Sequence, residues 1–162
     1  MKLTKQEILK LAVSIMYRGL FIDLIGAALF FVVGQLVRRS ELLTPVEPEP
    51  LVLLGYSLVA VSAIEIFMIV VLKKRWITRD SPSLRAIRNR DTFYRHLKLL
   101  FMILYIVALT PSLYGFLFFI LGGSEDIFMI MLAITLVGYM LVRIRPDDLE
   151  KAIGDFDLED PG

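Results

Sequence analysis

KKRWITRDSPSLRAIRNRDTFYRHLK, residues 73–98, decides how this chain is to be read. It is the one long polar stretch between apolar blocks, and nine of its residues are Lys or Arg. Two uncharged or nearly uncharged runs precede it, residues 19–37 and 51–72, and two follow it, 97–121 and 127–143. Each is near the ~20 apolar residues that cross ~30 Å of hydrocarbon. The pattern predicts an all-α polytopic membrane protein with four transmembrane helices, arranged as two antiparallel hairpins. Residues 1–145 form the membrane bundle, with 73–96 as its basic connector, and 146–162 form an acidic tail.

Composition supports this class. Of 162 residues, 57% are hydrophobic, against ~45–50% in ordinary globular chains, and the mean hydropathy is +0.70. The net charge of +1 hides a segregation, with basic residues in the connector and acidic ones in the tail. The absence of cysteine excludes disulfides, thiolate-bound zinc and iron–sulfur clusters. His96 is the only histidine, so no metal or other cofactor is expected. Scarcity of Asn and Gln points to a heat-adapted source, and the seven Met point the other way.

At the N-terminus, Thr4 and Glu7 have capping-box spacing, in which each side chain satisfies a backbone N–H left free at a helix start. The turns that follow place Ile8, Leu11, Ala12 and Ile15 on one stripe, the pattern of a helix lying on a membrane surface or projecting inward from it. No small-residue cleavage site follows the apolar run, so the first span is expected to be retained. SELLTPVEPEP, residues 40–50, carries three prolines and reads as an exposed connection. Asp80-Ser81-Pro82 signals a helix start, from which a helix could run straight into the third span. Thr110-Pro111-Ser112 predicts a kink within that span, and Gly122–Asp126 predicts a tight turn. PDDLEKAI, from Pro146, predicts one or two helical turns at the start of the tail.

Orientation follows from the basic residues, which resist translocation far more than acidic ones do. With the N-terminus inside, fifteen Lys and Arg face the cytoplasm and only Arg38 and Arg39 face out. A multi-pass protein of the cell membrane with both termini cytoplasmic is therefore expected. Lys73, Lys74, Arg75, Trp76, Arg85, Arg88, Arg90 and Arg95 are the expected contacts to anionic lipid headgroups. Nucleic acid is not an expected partner, because Trp76, Phe93 and Tyr94 suit an interfacial belt better than a base-stacking platform. His96, where the third span enters, reads as a solvated interfacial residue.

Inside the membrane the informative groups are Asp23 and Glu65. A charge at a helix centre costs about 2.5–3.5 kcal/mol on insertion scales, so each needs a proton or a partner. At 1.5 Å per residue, Asp23 lies roughly 7–8 Å in from Arg18 and Glu65 roughly 12 Å in from Lys73. Similar depth makes a meeting feasible. Small residues mark the faces where helices approach: Gly19, Gly26 and Gly34 share a stripe with Asp23, and Gly55 and Ser62 share one with Glu65. Pro111 and Gly115 are packing positions on the third span. Arg18, Tyr105, Thr135 and Tyr139 complete the expected polar cluster. Three roles stay open for the acids: fixing helix register, serving as a relay or ligand site, or contacting a partner subunit.

The run Ala108-Leu109-Thr110-Pro111-Ser112-Leu113-Tyr114-Gly115, with Gly122-Gly123 beyond it, resembles small prokaryotic four-helix membrane proteins. More distantly it is similar to the proteolipid rotor subunits of membrane ATPases, whose carboxylate-bearing helix has a Tyr-Gly just after the acid. The rotor pattern implies a glutamate five residues before the tyrosine; here Leu109 stands there, so ion translocation through this helix is not implied. No catalytic motif is present, and an enzyme is not expected. Two functions remain: a non-enzymatic membrane protein acting by association, as a homo-oligomer or an accessory subunit of a membrane complex, or a small transporter or proton or cation pathway using Asp23 and Glu65.

Overall fold

The computed structural model describes residues 5–40, 48–76, 87 and 89–153. The elements are α1 (Lys5–Leu20), a π-helical turn (Phe21–Ile25), α2 (Gly26–Arg39), α3 (Pro48–Trp76), α4 (Arg90–Ile120), α5 (Glu125–Val142) and α6 (Pro146–Ile153), with no strand among the described residues. Four stretches are long and apolar enough to cross a membrane: Gln6–Arg39, Pro50–Trp76, Asp91–Ile120 and Glu125–Val142. Large apolar side chains stand exposed along all four, among them Leu29, Leu53, Phe67, Ile106 and Val137. A helix in a water-soluble bundle hides such residues on one stripe; helices apolar all round belong in hydrocarbon.

α4 and α5 make the central pair, and their contacts run in opposite order along the two helices. The Tyr105 ring meets that of Tyr139, Ser112 meets Thr135, Gly115 meets Met131, and the Phe119 ring stacks on that of Phe128 at 5.0 Å. The first long helix lays its glycines on α4, with Gly19 against Tyr105, Gly26 against Leu109 and Gly34 against Phe119. α3 packs on both members of the pair, with Gly55 against Phe118 and Ile127, and Ile66 against Gly138. The first and second spans scarcely touch each other.

The bundle has two unlike ends. At one, the tail end, Ile8, Leu11, Ala12 and Ile15 of α1 join Phe93, Leu97, Phe101 and Leu104 of α4, with Ile144 and Leu149, in one buried cluster. The amphipathic stripe of α1 is thus spent on α4 and α6, and α1 continues straight into the span. Lys73 closes this end by donating to the carbonyls of Leu141 (3.0 Å) and Arg143 (2.8 Å), so a cation sits on the negative pole of α5. At the other, the turn end, Gly122 adopts φ 103°, a conformation that costs a residue with a Cβ. Arg38 donates to the Gly123 carbonyl at 2.8 Å with its guanidinium 4.4 Å above the Phe119 ring, and Gln35 donates to Glu125 at 2.9 Å.

Several boundaries differ from those the sequence predicts. α3 begins at Pro48, inside the stretch read as a connection, because proline is tolerated in a first helical turn where its missing N–H loses nothing. Glu125 and Asp126 belong to the first turn of α5, behind the Ser124 N-cap, and not to the turn before it. The third span is not continuous with a helix from Pro82. Asn89 has extended backbone angles and its side chain accepts from the N–H groups of Asp91 and Thr92, so a new helix starts at Arg90. Thr4, Asp80, Pro82, Arg85 and Arg88 lie outside the described residues.

Candidate functional site: a buried carboxylate beside two tyrosines

Asp23 is placed by the π-helical turn. In a regular α-helix each step of four residues drifts about 40° around the axis, so Gly19, Asp23 and Ala27 would fan off the buried line. The wider turn at Phe21–Ile25 holds all three on it, and all three are buried. Asp23 is 0% exposed, and neither carboxylate oxygen has a hydrogen-bond partner among the described residues. One turn toward the tail end, the Tyr105 ring lies flat on Gly19, and its hydroxyl is also buried with no hydrogen-bond partner among the described residues. The Tyr139 ring lies 5.9 Å from that of Tyr105. Both tyrosines lie near Asp23 and near Arg143.

Glu65 is in a different situation. The Tyr114 hydroxyl donates to its Oε1 at 2.9 Å, while Oε2 has no described partner. The two acids do not come together, because they sit on spans that flank the central pair separately. Arg18 is exposed and takes no part in either group. Thr135 serves neither acid; it accepts from the Ser112 hydroxyl at 2.6 Å and the Ser112 N–H at 3.0 Å, fastening α4 to α5 just after Pro111. Ser62, one turn from Glu65, is fully buried and its hydroxyl has no described partner.

Compared with known families, curated proteins and solved structures, the chain matches none.

Of the expected headgroup contacts, Lys74, Arg75 and Arg95 are exposed and Lys73 and Trp76 half-buried at the tail end; the Arg90 side chain is not described. His96 is half-buried there. Among the described residues no cluster of three or more His, Asp or Glu is placed to hold a metal ion. Counting residues from the span edges misses Tyr114, and the reason is geometric. Side chains lean toward the N-terminus of their own helix, so on helices running in opposite order Glu65 and Tyr114 lean toward each other across a difference in Cα depth. The signal was in the sequence as direction, not as depth. Ser112 was legible as the residue after a mid-span proline, whose N–H finds a partner on a neighbouring helix.

Proposed function

We propose that this chain is an integral membrane protein, with no enzymatic activity, in which Asp23 takes up and releases a proton or a monovalent cation. One observation carries this: Asp23 is fully buried in the bundle with both oxygens unpartnered among the described residues. A carboxyl that fixes helix register does so by bonding across helices, as Glu65 does to Tyr114. Asp23 makes no such bond. Hydrocarbon penalises its charge by a few kcal/mol, so a small cation that neutralises it is what the surroundings favour. π-helical turns recur at functional positions, and this one serves to aim the acid inward.

The proposal takes the spans as two antiparallel hairpins in the cell membrane with the tail end and both termini in the cytoplasm, as the distribution of basic residues indicates. Asp23 then faces the cytoplasmic half of the bundle. Purified chain in liposomes tests the function: Asp23→Asn abolishes a pH-driven proton or cation flux, while Glu65→Gln leaves the flux and lowers thermal stability. Equal flux from wild type and Asp23→Asn defeats the proposal.

Association is the second reading. The glycine stripes do not supply its contacts, because Gly19, Gly26, Gly34, Gly55 and Gly138 all pack against side chains of the same chain. Its remaining support is the outer face of α3, where Tyr56 and Phe67 are about two-thirds exposed at 66% and 67%. A homo-oligomer or a membrane partner seated on that face appears in native mass spectra as a species heavier than the monomer, and Tyr56→Ala with Phe67→Ala removes it.

A further inference from the structure

At the tail end a cavity of about 480 Å³ opens between α1 and the segment joining α5 to α6. Its apolar side is Val13 and Met16 of α1 and Met140 of α5; its polar side is Arg143 and Arg145, with Pro146, the first residue of α6, beside them. The size falls in the ~300–1,000 Å³ range of small-molecule sites. We infer that this cavity holds the headgroup of an anionic glycerophospholipid from the leaflet on the tail side, with Arg143 and Arg145 on the phosphate and the acyl chain running up the bundle.

Three observations select that occupant. First, both arginines are exposed and neither has a hydrogen bond or ion pair through its guanidinium among the described residues. The carbonyls ending α5 do not use them, because Lys73 already donates to Leu141 and Arg143. Two unspent arginines lining one cavity match a phosphodiester, which a guanidinium binds through paired donors. Second, the apolar side does not end at the cavity. Val13, Tyr17, Leu20 and Leu24 form an exposed stripe leading along α1 into the span, and Met140, 74% exposed, continues to Val137 on α5. A free phosphate has no use for such a track; an acyl chain lies along it. Third, the cavity sits where the apolar run of α5 stops at Val142 and the first arginine follows, the depth at which a headgroup meets its tails. The start of α6 adds little, since its own Asp147 already occupies the positive end of that short helix.

The inference does not rest on the role proposed for Asp23, and its test does not depend on flux. Full-length chain in detergent is titrated with phosphatidylglycerol and with phosphatidylcholine of the same acyl composition, and bound lipid is counted by native mass spectrometry. One equivalent of phosphatidylglycerol binds about tenfold or more tightly than the rest, as two basic side chains near ~1 kcal/mol each predict. Arg143→Gln with Arg145→Gln abolishes that equivalent, and Val13→Trp, which fills the apolar side at an exposed position, displaces it with the melting temperature unchanged. Arg85→Gln with Arg88→Gln, in the basic connector, leaves it in place. Equal binding of the two lipids, or a tight equivalent that survives the Arg143 and Arg145 changes, overturns the inference. So does competition by millimolar inorganic phosphate, which identifies a bare anion site.

Discussion

Gly19 and Gly26 are one helical face and seven residues apart, yet the structure gives them opposite tolerance. A Cβ on Gly19 runs into the Tyr105 ring, a buried flat group with the Tyr139 ring 5.9 Å away. A Cβ on Gly26 meets only the methyl ends of Leu109, the nearer at 3.1 Å, which can swing aside. Gly19→Ala is therefore expected to destabilise by about 1–2 kcal/mol net, overpacking outweighing the ~1 kcal/mol gained in helix propensity. Gly26→Ala is expected to be near neutral or mildly stabilising. Thermal unfolding in one detergent compares the two, and equal loss at both sites contradicts the described contacts. At this scale the sequence picked out acids that the structure buries wholly or partly, Asp23 and Glu65, and was a poor guide to whom they touch. Asp23 and Glu65 stood out because hydrocarbon makes a lone carboxyl conspicuous. Their neighbours did not, because a tyrosine reaches over more than one turn and the direction of its reach depends on which way its helix runs.

Among the elements, α4 is the longest and the most fully packed, and its start is the least forced by composition. Asn89 supplies the missing stop: its side chain accepts from the Asp91 N–H at 2.9 Å and from the Thr92 N–H at 3.3 Å. Asn89→Ala removes both bonds and is expected to cost about 1 kcal/mol, read as a lower melting temperature and faster amide exchange confined to the first turn of α4. Asn89→Asp, which keeps the acceptor, is expected to restore both. The existence of the four long helices was legible because an apolar run of that length has one physical use. Their pairing was not. Helices apolar on every face carry no stripe to announce a partner, and only the glycines and the few polar groups break that symmetry. The π-helical turn was invisible too, since FIDLI contains nothing that forbids ordinary helix.

For the molecule as a whole, the tail end is more than a loop cluster. Leu149 on α6 is fully buried against the cluster that holds Ile8, Leu11 and Ile15 of α1, so the two ends of the described chain fasten each other. Cutting the chain after Arg145 strips that cover, and the lost contact is comparable to a Leu→Ala change in a core, about 2–5 kcal/mol where the site cannot collapse. The expected readout is new tryptic cleavage at Lys10, with the rest of the first long helix and the other three still protected in detergent or vesicles. Protection of Lys10 in the shortened chain would mean that α1 stands without α6. Read from sequence, residues 146–162 formed a separate acidic tail; the apolar spacing of Leu149 within PDDLEKAI was too short a signal to tie α6 to α1.

The wide turn at Phe21–Ile25 carries a bookkeeping consequence for lineage. Winding those five positions as regular helix while leaving α1 and α2 seated as they are takes one residue fewer. A kindred chain without the bulge therefore shows a single-position gap between Leu20 and Gly26, and it has no wide turn to bring an acid at that level onto the inward line. The gap and the loss of the aspartate should travel together.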